Sequence, residues 1–159
     1  MKITTDLERM GDQAVNIAER AIFLNQEPQL KPYIDIPKMA EITQFMVKDV
    51  LDAFVNHHSK LARSVCQRDD MVDELNDQVF RELLTYMISD RQTITRSIHL
   101  IIVCRCLERI ADHATNIAED VIFMLDARVI KHHADAKEEG ERRNTSSRWL
   151  TDINDDARF

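Results

Sequence analysis

Residues Leu7–Phe23 read LERMGDQAVNIAERAIF, and residues Leu107–Phe123 read LERIADHATNIAEDVIF. The second segment repeats the first 100 residues later, with eleven of seventeen positions identical. Apolar residues recur at Leu7, Met10, Ala14, Ile17, Ala18 and Ala21, the three- and four-residue steps of a helix with one greasy face. Apolar matches between copies follow from the needs of any helical bundle. The polar matches Glu8/Glu108, Arg9/Arg109, Asp12/Asp112, Asn16/Asn116 and Glu19/Glu119 do not, because a solvated face tolerates most polar residues. Glu, Asp and Asn spaced at i, i+4 and i+8 share one helix face, where neighbouring carboxylates repel unless positive charge lies close by. The repeat therefore implies duplicated architecture and a duplicated site.

The remaining 159-residue chain agrees with a helical reading. Its two glycines are Gly11 and Gly140, and its three prolines, Pro28, Pro32 and Pro37, lie together in EPQLKPYIDIP. Between Pro37 and Gly140 neither breaker occurs, so the predicted fold class is all-α. We read a helix over about residues 4–25 and a Pro-rich linker over 26–37. Three further helices follow, over about 38–67, 69–88 and 90–134, and form an antiparallel three-helix bundle. A break is expected at Arg68–Asp69. Ile42, Phe45, Val50, Phe54, Leu61 and Val65 are expected to form the apolar face of the first bundle helix. Residues 135–159 read as a polar, disordered tail. Residues 1–25 then form the last helix of an incomplete first repeat, which implies N-terminal truncation.

A formal net charge of −7 argues against nucleic acid as a main partner. No apolar run exceeds the five residues of Leu100–Cys104, far too short for membrane insertion. Cys66, Cys104 and Cys106 stand in no metal-finger spacing and read as reduced thiols on helix faces. His57, His58, His132 and His133 lack ligand partners at helical spacing and read as surface residues. No Gly-rich phosphate loop and no legible nucleophile–base pair is present, so the chain reads as a non-enzyme.

Two stripes carry the chemistry. Along the last bundle helix, Ile94, Ile98 and Ile101 give way to Arg105, Glu108, Asp112 and Asn116. Along the helix before it, Phe80, Leu84 and Met87 give way to Asp77, Asp73 and Asp69. With the turn near Asp90–Arg91, antiparallel pairing sets Asp73 level with Glu108, and Asp69 level with Asp112. Carboxylates converging there are costly unless a hard, oxygen-loving cation relieves them, as in carboxylate-lined bundles. A plain solvated acidic face is the rival reading, since Asp69, Asp70 and Asp73 would occupy a helix first turn that favours acids anyway. A carboxylate-bridged metalloenzyme is a further alternative. It calls for Glu-x-x-His ligand pairs, and no Glu or Asp here has a His three residues on.

The LERxxDxxxNIAE helix resembles the signature of the PhoU family of phosphate-transport regulators. VKDVLDAF (Val47–Phe54), DDMVDEL (Asp69–Leu75), LLTYMISDRQTI (Leu83–Ile94) and RCLERIADHATNIAED (Arg105–Asp120) follow in the same order. The resemblance covers about Thr4–His133 and implies two similar three-helix bundles. It further implies that the E(D)xxxD motifs bind divalent or trivalent metal ions: iron, manganese, magnesium or zinc. Carried over, those motifs are Asp69/Asp73, Glu108/Asp112 and Glu8/Asp12, with Asp77 and Asn116 on the same stripes. The implied role is cytoplasmic regulation of phosphate uptake and signalling, through contact with a phosphate ABC transporter and a membrane sensor kinase. A homodimer is expected, because the apolar face of residues 4–25 finds too little cover in one bundle.

Overall fold

A computed structural model describes residues 2–155, with side chains from 3 to 127. Among the described residues all regular structure is helical: α1 Lys2–Leu24, α2 Asp35–Val55, α3 Ser59–Ser89, a single 3₁₀ turn Arg91–Thr93, and α4 Ile94–Asp155. The chain divides into one unit of residues 1–122 and a second of residues 123–159. The second is helical through Asp155, where the sequence reading ends the bundle helix near Ala134. Ala, Lys, Glu and Arg, which dominate residues 134–143, are strong helix formers, and no proline follows to stop them.

The α2–α3 boundary falls well before Arg68–Asp69. α2 ends at Val55, and the chain reverses through Asn56, His57 and His58. His57 takes φ 53°, the left-handed region that His, like Asn and Asp, enters more readily than most side chains. The Asn56 amide donates to the Asp52 carbonyl at 3.0 Å, and the His58 amide to the Ala53 carbonyl at 2.9 Å, closing α2. His58 Nδ1 then accepts from the Leu61 amide at 3.1 Å and caps α3. The turn was illegible because it uses neither Gly nor Pro. Its consequence is large: Asp69 and Asp73 sit mid-helix, about three turns beyond the α3 N-terminus, where the helix dipole gives acids no favour. At the other end of α2, Pro37 lies in the first turn, where its missing N–H is no loss, so the helix begins at Asp35 rather than Lys38.

The buried stripe of α2 is Met39, Thr43, Met46, Val50 and Ala53, not the face expected from Ile42 and Phe45; Phe45 points outward. That stripe meets Ala62, Val65, Val72, Leu75, Val79 and Leu83 of α3. Antiparallel pairing is pinned outside the core by Arg68 donating to Asp49 at 2.6 Å and by Gln78 donating to Asp35 at 3.3 Å. In the α1–α2 connection Lys31 is buried and paired with Glu82 of α3, while Arg96 of α4 donates to the Pro28 carbonyl at 2.8 Å.

α4 is the central helix. One side buries Leu107, Ala111, Ala114, Ala118 and Val121. An adjacent side, with Cys106, Ile110 and His113, faces α1, whose Ile3, Asp6, Met10 and Gln13 are buried. Asp6 and His113 meet at 2.9 Å, and the Phe23 and His99 rings stack at 4.0 Å, so α1 runs antiparallel to α4. Cys104 and Cys106 are buried on different sides of this central helix, and burial pushes the Cys104 thiol up to about 12. The two motif copies thus share a core-facing stripe, but they differ on the next one. Leu107 is 7% exposed, whereas its counterpart Leu7 is 37% exposed, and Gly11, Ala14, Ala18 and Ala21 are exposed where Ala111, Ala114, Ala118 and Val121 are buried.

Candidate metal centre

The acidic stripes of α3 and α4 lie side by side. Asn76 donates to Glu108 Oε2 at 2.8 Å, and Thr115 lies against Asp69. The level partners are therefore about three residues along from those expected, less than one turn, and Asp69, Asp73, Glu108 and Asp112 still converge. Their electrostatics show the crowding. Burial first, then Asp73 and Asp112, raise the Asp69 carboxyl to about 6. Burial, Asp112, Asp70 and Asp77 raise Asp73. Glu108 is raised by burial and by Asp73, Asp112 and Asp77, against which the Arg105 guanidinium pulls it down.

Two polar atoms at this seam have no partner. Asp69 Oδ1 and Thr115 Oγ1 are both buried and unbonded, although the Thr115 hydroxyl is near enough to oppose the rise at Asp69. Orphaned buried oxygens are costly, and here they border a polar cleft of about 360 Å³ lined by Asp69, Arg109, Asp112, His113, Thr115 and Asn116. Asn116 thus joins the candidate set. Asp77 lies at its edge, exposed and 3.9 Å from Arg81. Glu8 and Asp12 do not join it: both are exposed on α1 and enter none of these couplings.

The donor set suits a hard cation: oxygen ligands, net negative charge and an unsatisfied carboxylate oxygen. Its present geometry does not close around one. Among the described residues, no three His, Cys, Asp or Glu side chains form a group that could hold an ion as they stand. The Asp and Glu side chains would have to rotate inward, and Arg109 and His113 share the cleft with them. Sequence reasoning missed Asn76, Thr115 and the Asp6–His113 pair. Asn76 and Thr115 lie three residues from Asp73 and Asp112, so they could have been found as polar neighbours of the acid stripe. Nothing in the sequence paired Asp6 with His113, which are joined only by tertiary packing.

Comparison with known proteins places the chain. The PhoU domain family matches residues 36–121, more than half of it. A phosphate-specific transport system accessory protein PhoU homolog of Aquifex aeolicus is 51% identical over 140 residues, covering 88% of this chain and 63% of that protein. A protein of the same name from Caulobacter vibrioides is 46% identical, covering 79% of this chain and 55% of its own. The chain therefore spans about 55–63% of the length of these relatives. The crystal structure of PhoU from Pseudomonas aeruginosa superposes with a TM-score of 0.77 at 42% identity, covering 79% of this chain and 61% of that one. The Streptococcus pneumoniae PhoU structure gives 0.69 at 28% identity, covering 79% and 59%. The family match runs through α2, α3 and the acid-bearing part of α4, and the chain belongs to the PhoU family.

Proposed function

We propose that this chain is a metal-binding, non-enzymatic regulator of phosphate transport and phosphate-responsive signalling. In this reading it acts in the cytoplasm, contacting a phosphate ABC transporter and a membrane sensor kinase. The relatives' names support the transport role. The observation that carries metal binding is the crowded carboxylate seam of Asp69, Asp73, Glu108 and Asp112, with the Asp69 oxygen left unbonded. An iron, manganese, magnesium or zinc ion would offset the repulsion that now raises these groups, with Asn116 as a neutral oxygen donor. Among the described residues no helix is long and apolar enough to cross a membrane, which fits a role beside membrane proteins rather than within the bilayer.

Calorimetric titration with Mn²⁺ tests the site. Glu108→Ala with Asp112→Ala is expected to weaken binding at least tenfold, with an unchanged far-ultraviolet helix signal because both side chains are outside the core. Equal binding by the double variant would leave only a solvated acidic face. Glu8 and Asp12, exposed on α1 and outside this seam, are expected to contribute little to the titration.

Self-association belongs to the same reading. The α1 stripe Leu7, Gly11, Ala14, Ala18 and Ala21 is exposed, although its repeat counterpart in α4 is buried. It opens onto an apolar groove of about 730 Å³ between α1 and α2, floored by Leu107 and Ile110. Exposed apolar surface of this kind favours association. Light scattering is expected to show a dimer. A strict monomer whose residues 4–24 resist hydrogen exchange would show that the groove needs no cover.

A further inference from the structure

The stripes that carry the acids do not end with them. Toward the α3–α4 turn they continue as Phe80, Leu84 and Ile88 on α3, and as Ile94 and Ile98 on α4. None of these belongs to the core: Phe80 is 42% exposed, Ile98 46% and Ile88 85%. The acid-bearing stripes are adjacent across the seam, where Asn76 of α3 donates to Glu108 Oε2 of α4 at 2.8 Å, so the apolar continuations of the same stripes are neighbours too. One face of the α3–α4 hairpin is therefore apolar at the turn end and acidic beyond it. From Ile88 back to Asp69 it spans about 28 Å of helix, roughly five turns. Three arginines border it, against five acids: Arg81 lies 3.9 Å from Asp77, Arg105 acts on Glu108, and Arg109 shares the polar cleft with Asp69 and Asp112, so the acidic half keeps a net negative charge.

We infer that this face is a docking surface for a helical segment of another protein, about twenty residues long, apolar over one half and basic over the other. An exposed apolar cluster of this kind marks an interaction site. The occupant follows from charge. A second copy could bury the apolar half, but it would bring its own acids and leave both acidic halves uncompensated. An anionic membrane or a nucleic acid would be repelled by Asp69, Asp73, Asp77, Glu108 and Asp112. A segment with leucines over two turns and lysines or arginines over the next three satisfies both halves, and its charges speed and orient the encounter.

The test uses the full chain in EDTA, so that its outcome is separate from metal binding. The probe is a fluorescent twenty-residue helical peptide with Leu at i, i+3, i+4 and i+7 in one half and Lys at the matching positions of the other. Anisotropy is expected to show saturable binding that weakens as salt rises. Ile88→Ser with Ile98→Ser should weaken binding at least tenfold without lowering thermal stability, because both side chains are exposed. Asp73→Asn with Glu108→Gln should also weaken it, and a peptide with Glu in place of Lys should not bind. Wild-type binding that survives both pairs of substitutions overturns the proposal. So does failure of the folded chain to bind the peptide, or sedimentation showing that the serine pair dissociates a dimer, which would assign the face to a second copy.

Discussion

Leu83→Ala is expected to lower the free energy of unfolding by about 2–5 kcal/mol, whereas Leu84→Ala one residue later should change it by less than about 0.5 kcal/mol. Leu83 is fully buried on the α3 stripe that faces the interior, and Leu84 is 37% exposed on the outer face. Truncating Leu83 removes apolar contacts and leaves a cavity that neighbouring helices cannot fully close. In a helix successive residues point about 100° apart, so the two leucines report the rotation of α3 directly. Urea denaturation followed by circular dichroism measures both. A Leu84 variant as damaged as the Leu83 variant would mean that α3 is turned, and that the acidic stripe faces elsewhere.

Asp69→Asn is expected to stabilise the chain above pH 6. Burial and its acidic neighbours raise the folded-state pKa of Asp69 to about 6, above its ordinary 3.8. Between those values the folded state holds the proton more tightly than the unfolded state. The stability from this linkage is fully present below the ordinary value, and it is lost as pH rises through about 6. Asp73 and Glu108 are raised as well and act in the same direction. The wild-type chain should therefore lose stability between pH 5 and pH 7.5, and the Asn variant should lose less. At pH 7.5 the variant should gain on the order of 0.5–1 kcal/mol, since solvent screens the repulsion. Urea unfolding at the two pH values checks this. Identical pH slopes for the two proteins would show that Asp69 is not crowded, which would also remove the motive for a cation.

Much of this could be read from residues alone. Helical spacing and the absence of breakers between Pro37 and Gly140 made the chain all-α, because both depend only on local backbone preference and side-chain periodicity. The same periodicity aligned Glu108 with Asp112 and Asp69 with Asp73, and a known turn near Asp90 brought the two pairs together to within a turn. Other features needed the tertiary structure. The α2–α3 turn is made by Asn56, His57 and His58, whose left-handed and capping conformations are chosen by the packing of the helices they join. Burial was decided there too. Phe45, Phe80 and Ile98 are as apolar as Met46 and Leu83, yet they face outward. A helix shows on its own which residues share a side, but which side turns inward depends on the neighbour that covers it. For the same reason the α1 and α4 copies of the repeat, identical at eleven of seventeen positions, differ in burial, with α4 covered on two neighbouring faces and α1 on one.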